Sequence, residues 1–345
     1  MCAALRRLAT FLALSVAPVS AGAMCTGDDL LASMAADKRA ALMAAADAVP
    51  NSHGILWQAE RPDARVILLG TYHMNDPRHA AIVTRIDDFL PDSAALLVEA
   101  GPEEEARLKK AMAEDVGVMI NTSGPTLPER LSPEEWKSLS AAALERGLPP
   151  FMAAKMKPWV LTMMLSMSPC MLAEQQAAGK MNGLDAQVMD RARAAAVPIT
   201  ALEPWDTVLS LFAGLSPQDE LDMVRGSLLS ARTADDNAAT LANAYFNEVP
   251  QLIWELSRQM ALDAGEMAPE TVAAQMALAQ EILMDQRNRA WVPVIEQTLA
   301  EAGASGTGGA PVQAVVAVGA LHLPGEQGLL SLLAARGFTL TRLPL

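Results

Sequence analysis

Two of the four histidines in this 345-residue chain share one local context. In "RVILLGTYHMND", Arg65 to Asp76, an apolar β-branched run ends in glycine and His73 follows three residues later. In "QAVVAVGALHLPG", Gln313 to Gly325, a Val-rich run ends in glycine and His322 follows at the same spacing. Short uncharged runs bounded by glycine read as buried strands. Open α/β sheets place their chemistry just beyond the carboxyl ends of such strands. Two further apolar runs end in acids, "SAALLVEAG" at Glu99 and "PITALEPWD" at Glu203. If these four strands are parallel neighbours, two imidazoles and two carboxylates enter one cleft. That donor set suits a divalent ion such as Mn, Fe, Co or Zn. It equally suits general acid/base chemistry without a metal. The glycine of each Gly-x-x-His pattern would supply either positive φ or close backbone approach.

A guanidinium could complete the group. "MDQRNRAWVP" carries Arg287 and Arg289 around Asn288 in a helical stretch. Residues two apart do not share a helix face, so one arginine at most should point inward. There it could hold a carboxylate or stabilise an oxyanion. Asp185, after Gly183, fits a helix cap or a ligand equally well. Tyr72 is expected to pack at the strand end, His79 to cap or face solvent at a helix start, and His53 to sit in a turn.

These residues need a sheet and its covering helices. "HGILWQAE" and "ARVILLG" read as a hairpin about Arg61-Pro62-Asp63. Residues 26–50 read as one or two helices, capped at Thr26 or Asp28, and residues 103–116 as another helix. Ser132-Pro133 is a helix start, with serine capping and proline at the first position. The Met-dense run "PWVLTMMLSMSPCML" reads as one buried helix using methionine as filler. From Thr207 to about Leu299 the chain looks helical, with caps at Ser216 and Thr233. A helix, a stop at Gly337 and a terminal strand close the chain. The expected fold is α/β, a central mixed sheet flanked by helices, with a largely helical region from about 204 to 300.

Composition narrows the partners. Hydrophobic residues make up 51% of the chain and aromatics 4%, so the core is built from Ala, Leu, Val and Met. The formal net charge of −14 disfavours nucleic acid and anionic membrane. The opening "MCAALRRLATFLALSVAPVSAGAM" has two arginines, an apolar core and Ala21-Gly22-Ala23, the parts of a secretory signal peptide over residues 1–23. The apolar run is too short to span a bilayer. The mature chain, 24–345, would be one α/β domain in the periplasm or outside the cell, with no stable membrane insertion. Cleavage removes Cys2 and leaves Cys25 and Cys170, which in an exported protein invites a disulfide.

Together, "LLGTYH", "LLVEA", "KPW" at Lys157 to Trp159, "GLD" at Gly183 to Asp185, "LEPW", "QRNRAW" and "VGALHLPGEQGLL" resemble the TraB/GumN family. Its members include Tiki-like metal-dependent proteases, within a wider superfamily of erythromycin-esterase-like and ChaN-like proteins. The resemblance covers most of the mature chain. It implies His73 and His322 as functional histidines, Glu99 as their acidic partner and Arg287 as the site arginine, with Glu203 beside them. It also implies peptide-bond hydrolysis with a metal, Mn or Co; Zn is compatible with the donors. In that reading His73, Glu99 and His322 hold the metal, Glu99 or Glu203 takes the proton of water, and Arg287 faces the oxyanion. The partner would be a peptide or small-molecule substrate. The alternative is a non-catalytic envelope protein binding haem, metal or a small ligand on the same fold.

Overall fold

The computed structural model describes residues 27–179, 182–305 and 311–345. The expected leader, Cys25 and Thr26 lie outside the described residues.

Six strands form one sheet: β1 Leu56–Arg61, β2 Ala64–Thr71, β3 Leu96–Val98, β4 Ile199–Ala201, β5 Val312–Gly319 and β6 Thr339–Arg342. Their spatial order is β4-β3-β5-β2-β1-β6. The hairpin β1–β2 is antiparallel, and β6 adds antiparallel to β1. Strands β2, β3, β4 and β5 are mutually parallel, as the site required: β5 lies between β2 and β3, and β4 lies beyond β3. The last parallel strand in sequence is thus central in space. Its end at Gly319 is level with Thr71 of β2, and Ala317 is level with Val98 of β3.

Successive residues of these strands feed two cores on opposite faces. Ile67, Leu69, Leu96, Val98, Val315 and Ala317 pack under the helices His79–Ile86 and Leu184–Ala194. Val66, Leu68, Leu97, Val316 and Val318 pack under the helices Gln286–Ser305 and Leu329–Ala334. Burial on both faces explains the lack of polar alternation in β2 and β5. A third core, around Leu139, Leu161, Leu165 and Val224, joins helices that stand away from the sheet. Among the described residues no helix is long and apolar enough to cross a membrane.

Several local expectations change. The Met-dense run is two helices, Pro158–Ser166 and Pro169–Ala178. Pro169 cannot continue the first, and Ser168 caps the second through the Met171 amide. Met163 is 49% exposed, so the run is not wholly buried. Asp29 caps the helix Leu30–Ser33 instead of Asp28. Ser132 and Ser216 cap as expected, whereas the Thr233 side chain makes no capping bond. His79 is fully buried among Tyr72, Tyr245 and Phe246, not at the surface.

Candidate active site

Each strand end delivers the residue expected of it. β2 leads to His73, β3 to Glu99, β4 to Glu203 and, after one 3-10 turn, β5 leads to His322. Because β5 is central, His73 and Glu99 arrive from its two sides and meet over Gly319. A Cβ added to Gly319 would sit 3.1 Å from His73 Nε2, 3.3 Å from Glu99 Oε1 and 3.5 Å from His322 Cδ2. Gly319 has a φ of −48°, which any residue can adopt, so its value here is the space left by the missing side chain. The Gly319 amide donates to Glu99 Oε1 at 2.7 Å.

Arg287 lies beneath this cradle, just after the single π turn Glu281–Asp285. Its Nε and Nη2 donate to Glu203 at 2.9 and 2.8 Å, and Nη2 also donates to Glu99 Oε2 at 2.6 Å. Nη1 donates to the Leu283 carbonyl at 3.1 Å and faces His322 Nε2 at 3.3 Å. With five N–H groups per guanidinium, the donors are committed. Arg287 therefore binds two carboxylates and presents no free donor to an oxyanion. Arg289 points away to Glu281, so one arginine faces inward, as helical spacing demanded. Trp291, one turn on, donates its indole N–H to Glu203 at 3.0 Å.

The two histidines have opposite environments. His322 is buried, and its Nδ1 lies 2.7 Å from Asn288 Oδ1. The Asn288 amide donates to the Gln327 carbonyl, which fixes its oxygen toward the ring. Neutral His322 thus carries its proton on Nδ1, and Nε2 accepts from Arg287. Burial lowers its pKa to about 4, against the pull of Glu99. His73 is instead 51% exposed by its side chain, and its Nδ1 lies 2.8 Å from Asp185 Oδ2. Asp185 raises the His73 pKa to about 9, with burial opposing. Solvent at the half-exposed ring screens part of that attraction. Burial pushes Glu99 up, but His322, Arg287, His73 and the Gly319 amide together bring it down to about 2. Burial raises Glu203, with Arg287 opposing.

Asp185 is held in place by a close helix–strand approach. Leu184 N–H donates to the Tyr72 carbonyl at 2.9 Å, and Thr71 Oγ1 donates to Asp185 Oδ1 at 2.5 Å. A side chain at Gly183 would overlap the His73 carbonyl, so only glycine lets the helix come this near. Asp185 is thus both in the first turn of its helix and a partner of His73. Sequence reasoning missed Asn288 and Trp291, both inside "QRNRAW"; Trp291, four residues after the inward arginine, had the helical spacing as its signal, whereas Asn288, next to Arg287, had none. Tyr72 packs against Tyr245 with centroids 5.5 Å apart, and exposed His53 pairs with Asp47.

These donors fit a metal ion in part. Atom types fit: both imidazoles have Nδ1 pinned by an outer partner, as metal-binding histidines do. The arrangement does not fit. His322 Nε2 is 3.7 Å from Glu99 Oε1 and turned to Arg287. Among the described residues no group of three or more His, Cys, Asp or Glu stands as a metal site. Arg287 already supplies the positive charge between the carboxylates. What opens to solvent is a cleft of about 240 Å³ lined by His73, Glu99, Glu105, Gly183, Asp185 and Met189 among others.

A parallel-stranded α/β core with ionisable groups gathered beyond its strand ends defines the class. The TraB/PrgY/gumN family profile matches residues 55–342, and the chain belongs to that family. It is 25% identical over 262 residues to an uncharacterized protein, YbaP, of Escherichia coli (strain K12), covering 76% of this chain and 85% of that one. A YbaP sequence of Shigella flexneri matches to the same extent.

Proposed function

We propose that this protein is a hydrolase that cleaves a carbonyl-centred bond, most simply a peptide bond, at the cradle over Gly319. One observation carries the reading. His73 Nε2 and Glu99 Oε1 converge on the space a Gly319 side chain would fill. A water there contacts a base on one side and an ionised carboxylate on the other. His73 Nε2 takes the proton as the water oxygen attacks the carbonyl carbon. Asp185 keeps the ring's other proton on Nδ1 and balances the imidazolium that forms, the division of labour in a His–Asp pair. The same Nε2–H then protonates the departing amine. Glu99 orients the water, and Arg287 and the Gly319 amide hold Glu99 ionised. Glu203 and Trp291 fix Arg287 in turn.

The test is a peptide library digested and read by mass spectrometry, with wild type beside His73→Ala and Glu99→Gln. Cleavage by wild type alone supports the reading; cleavage unchanged in both variants removes it.

A divalent ion, Mn, Co or Zn, held by His73, Glu99 and His322 is the second reading. The Nδ1 pinning of both imidazoles favours it. It requires Arg287 to release His322 and Glu99. Metal analysis of wild type and His322→Ala, after incubation with each ion, decides it: stoichiometric metal lost in the variant supports this site. A haemin titration tests the non-catalytic alternative, since a Soret band would place the cleft among haem-binding sites.

We also propose export, with residues 1–23 removed, one domain over 24–345 and a Cys25–Cys170 bridge. The bridge has support in the packing. The segment just after Cys25 is anchored on the helix Ala234–Phe246, where Asp28 N–H donates to Asp236. That same helix lies against Pro169–Ala178, which carries Cys170.

A further inference from the structure

The hydrolytic site leaves one family-like motif unused, "KPW" at Lys157 to Trp159. These residues line a separate cleft of about 420 Å³ in the helical region. Its walls are the 3-10 turn Val116–Val118, the start of the helix Pro158–Ser166 and the helix Thr207–Ala213. The Trp159 and Phe212 rings stack there, with centroids 5.8 Å apart and planes 7° from parallel. Both side chains remain partly open to solvent.

The charges in this cleft are unequal in what they leave unpaired. Arg130 is paired with Glu220 at 3.1 Å, and its Nη2 also reaches the Pro217 carbonyl. Asp115 accepts the Gly117 amide at 2.8 Å, capping its own turn. Lys157 has no ion pair or side-chain hydrogen bond among the described residues. Its backbone is fixed by the Met119 carbonyl, so the stem starts from a set place. A half-buried lysine that lines the same cleft as an aromatic pair matches an anion joined to an apolar or planar group.

We propose that the Lys157–Trp159–Phe212 cleft binds the carboxyl-terminal end of a peptide whose last side chain is aromatic. The ring lies against Trp159 and Phe212, and the terminal carboxylate meets Lys157. The cleft shares an element with the hydrolytic site: Phe212 belongs to the helix that follows Glu203 after a three-residue turn. From Thr207 to Phe212 that helix rises only about 8 Å. The proposal concerns binding and stands whether or not the cradle over Gly319 hydrolyses anything.

The test is calorimetric titration of the full-length mature protein with Gly-Gly-Phe, its carboxyl-terminal amide and Gly-Gly-Glu. His73→Ala is used as the parent so that turnover cannot obscure binding. The free acid should bind saturably, and the amide and the Glu peptide about tenfold more weakly, the scale of one charge-assisted contact. Lys157→Met and Phe212→Ala should each lose a similar factor, while Lys157→Arg keeps most of it and shows that the fold survives. Equal binding of acid and amide, parent-like binding by Lys157→Met, or no saturable binding at millimolar peptide would each overturn the proposal.

Discussion

Arg287 bridges two glutamates at the ends of the paired strands β3 and β4, at 2.6 Å from Glu99 and 2.8 Å from Glu203. All three side chains are largely buried. Removing the arginine leaves two buried carboxylates facing each other. Arg287→Met should therefore cost about 3–5 kcal/mol at neutral pH, as loss of one partner from a buried pair does. Adding Glu203→Gln should recover part of the loss. Denaturant unfolding of wild type and the two variants checks this, and an Arg287→Met protein as stable as wild type would show that the bridge holds nothing together.

His73 and Asp185 set the pH dependence. The fold raises the His73 pKa toward 9, so below its ordinary value of 6.5 the ring is charged and the pair contributes stability. That contribution fades as pH rises through about 9. As a base, His73 must lose this proton, so kcat/KM should climb with pH between those two values. Asp185→Asn should move the limb back toward 6.5 and lower the plateau by about 10²-fold or more. A rate that falls over the same range would make His73 an acid.

Gly319→Ala asks what the cradle is for. The backbone accepts alanine, yet the methyl sits 3.1 Å from His73 Nε2, where water is to react. Activity should drop by about 10²-fold, the cost of misplacing a reacting group, while the melting temperature moves little. Full activity in this variant would place the reaction elsewhere.

The proposed Cys25–Cys170 bridge predicts a mature mass two hydrogen atoms short of the reduced chain. It closes a long loop, so reduction should lower stability by a few kcal/mol in the loop-entropy account. Free thiols in protein recovered from the oxidising compartment would exclude it.

Much of the site was legible because strands deliver side chains at fixed places. The apolar runs at Val66–Leu69 and Val315–Val318, each stopped by glycine, reported both the strands and the ends that matter. Helical periodicity also limited Arg287 and Arg289 to one inward side chain at most. What periodicity does not carry is pairing across the chain. Asp185 finds His73 only because β2 and a helix more than a hundred residues later approach over Gly183. Asn288 becomes a site residue only once His322 is placed beside it. The same limit applies to the metal reading. Counting His and Glu at strand ends gives a plausible donor set, but not the guanidinium that comes between them. The Met-dense run failed for a local reason: its hydropathy is continuous, and Pro169 outweighed it.

One site is expected to hold a charged and a neutral imidazole at the same pH. Heteronuclear NMR titration of the four histidine rings, in wild type and Asp185→Asn, measures this without a substrate. His73 should titrate well above 6.5 and fall toward it in the variant, while His322 stays neutral, protonated on Nδ1, until pH nears 4. A His73 that titrates at or below 6.5, or a His322 already charged at neutral pH, would contradict the account.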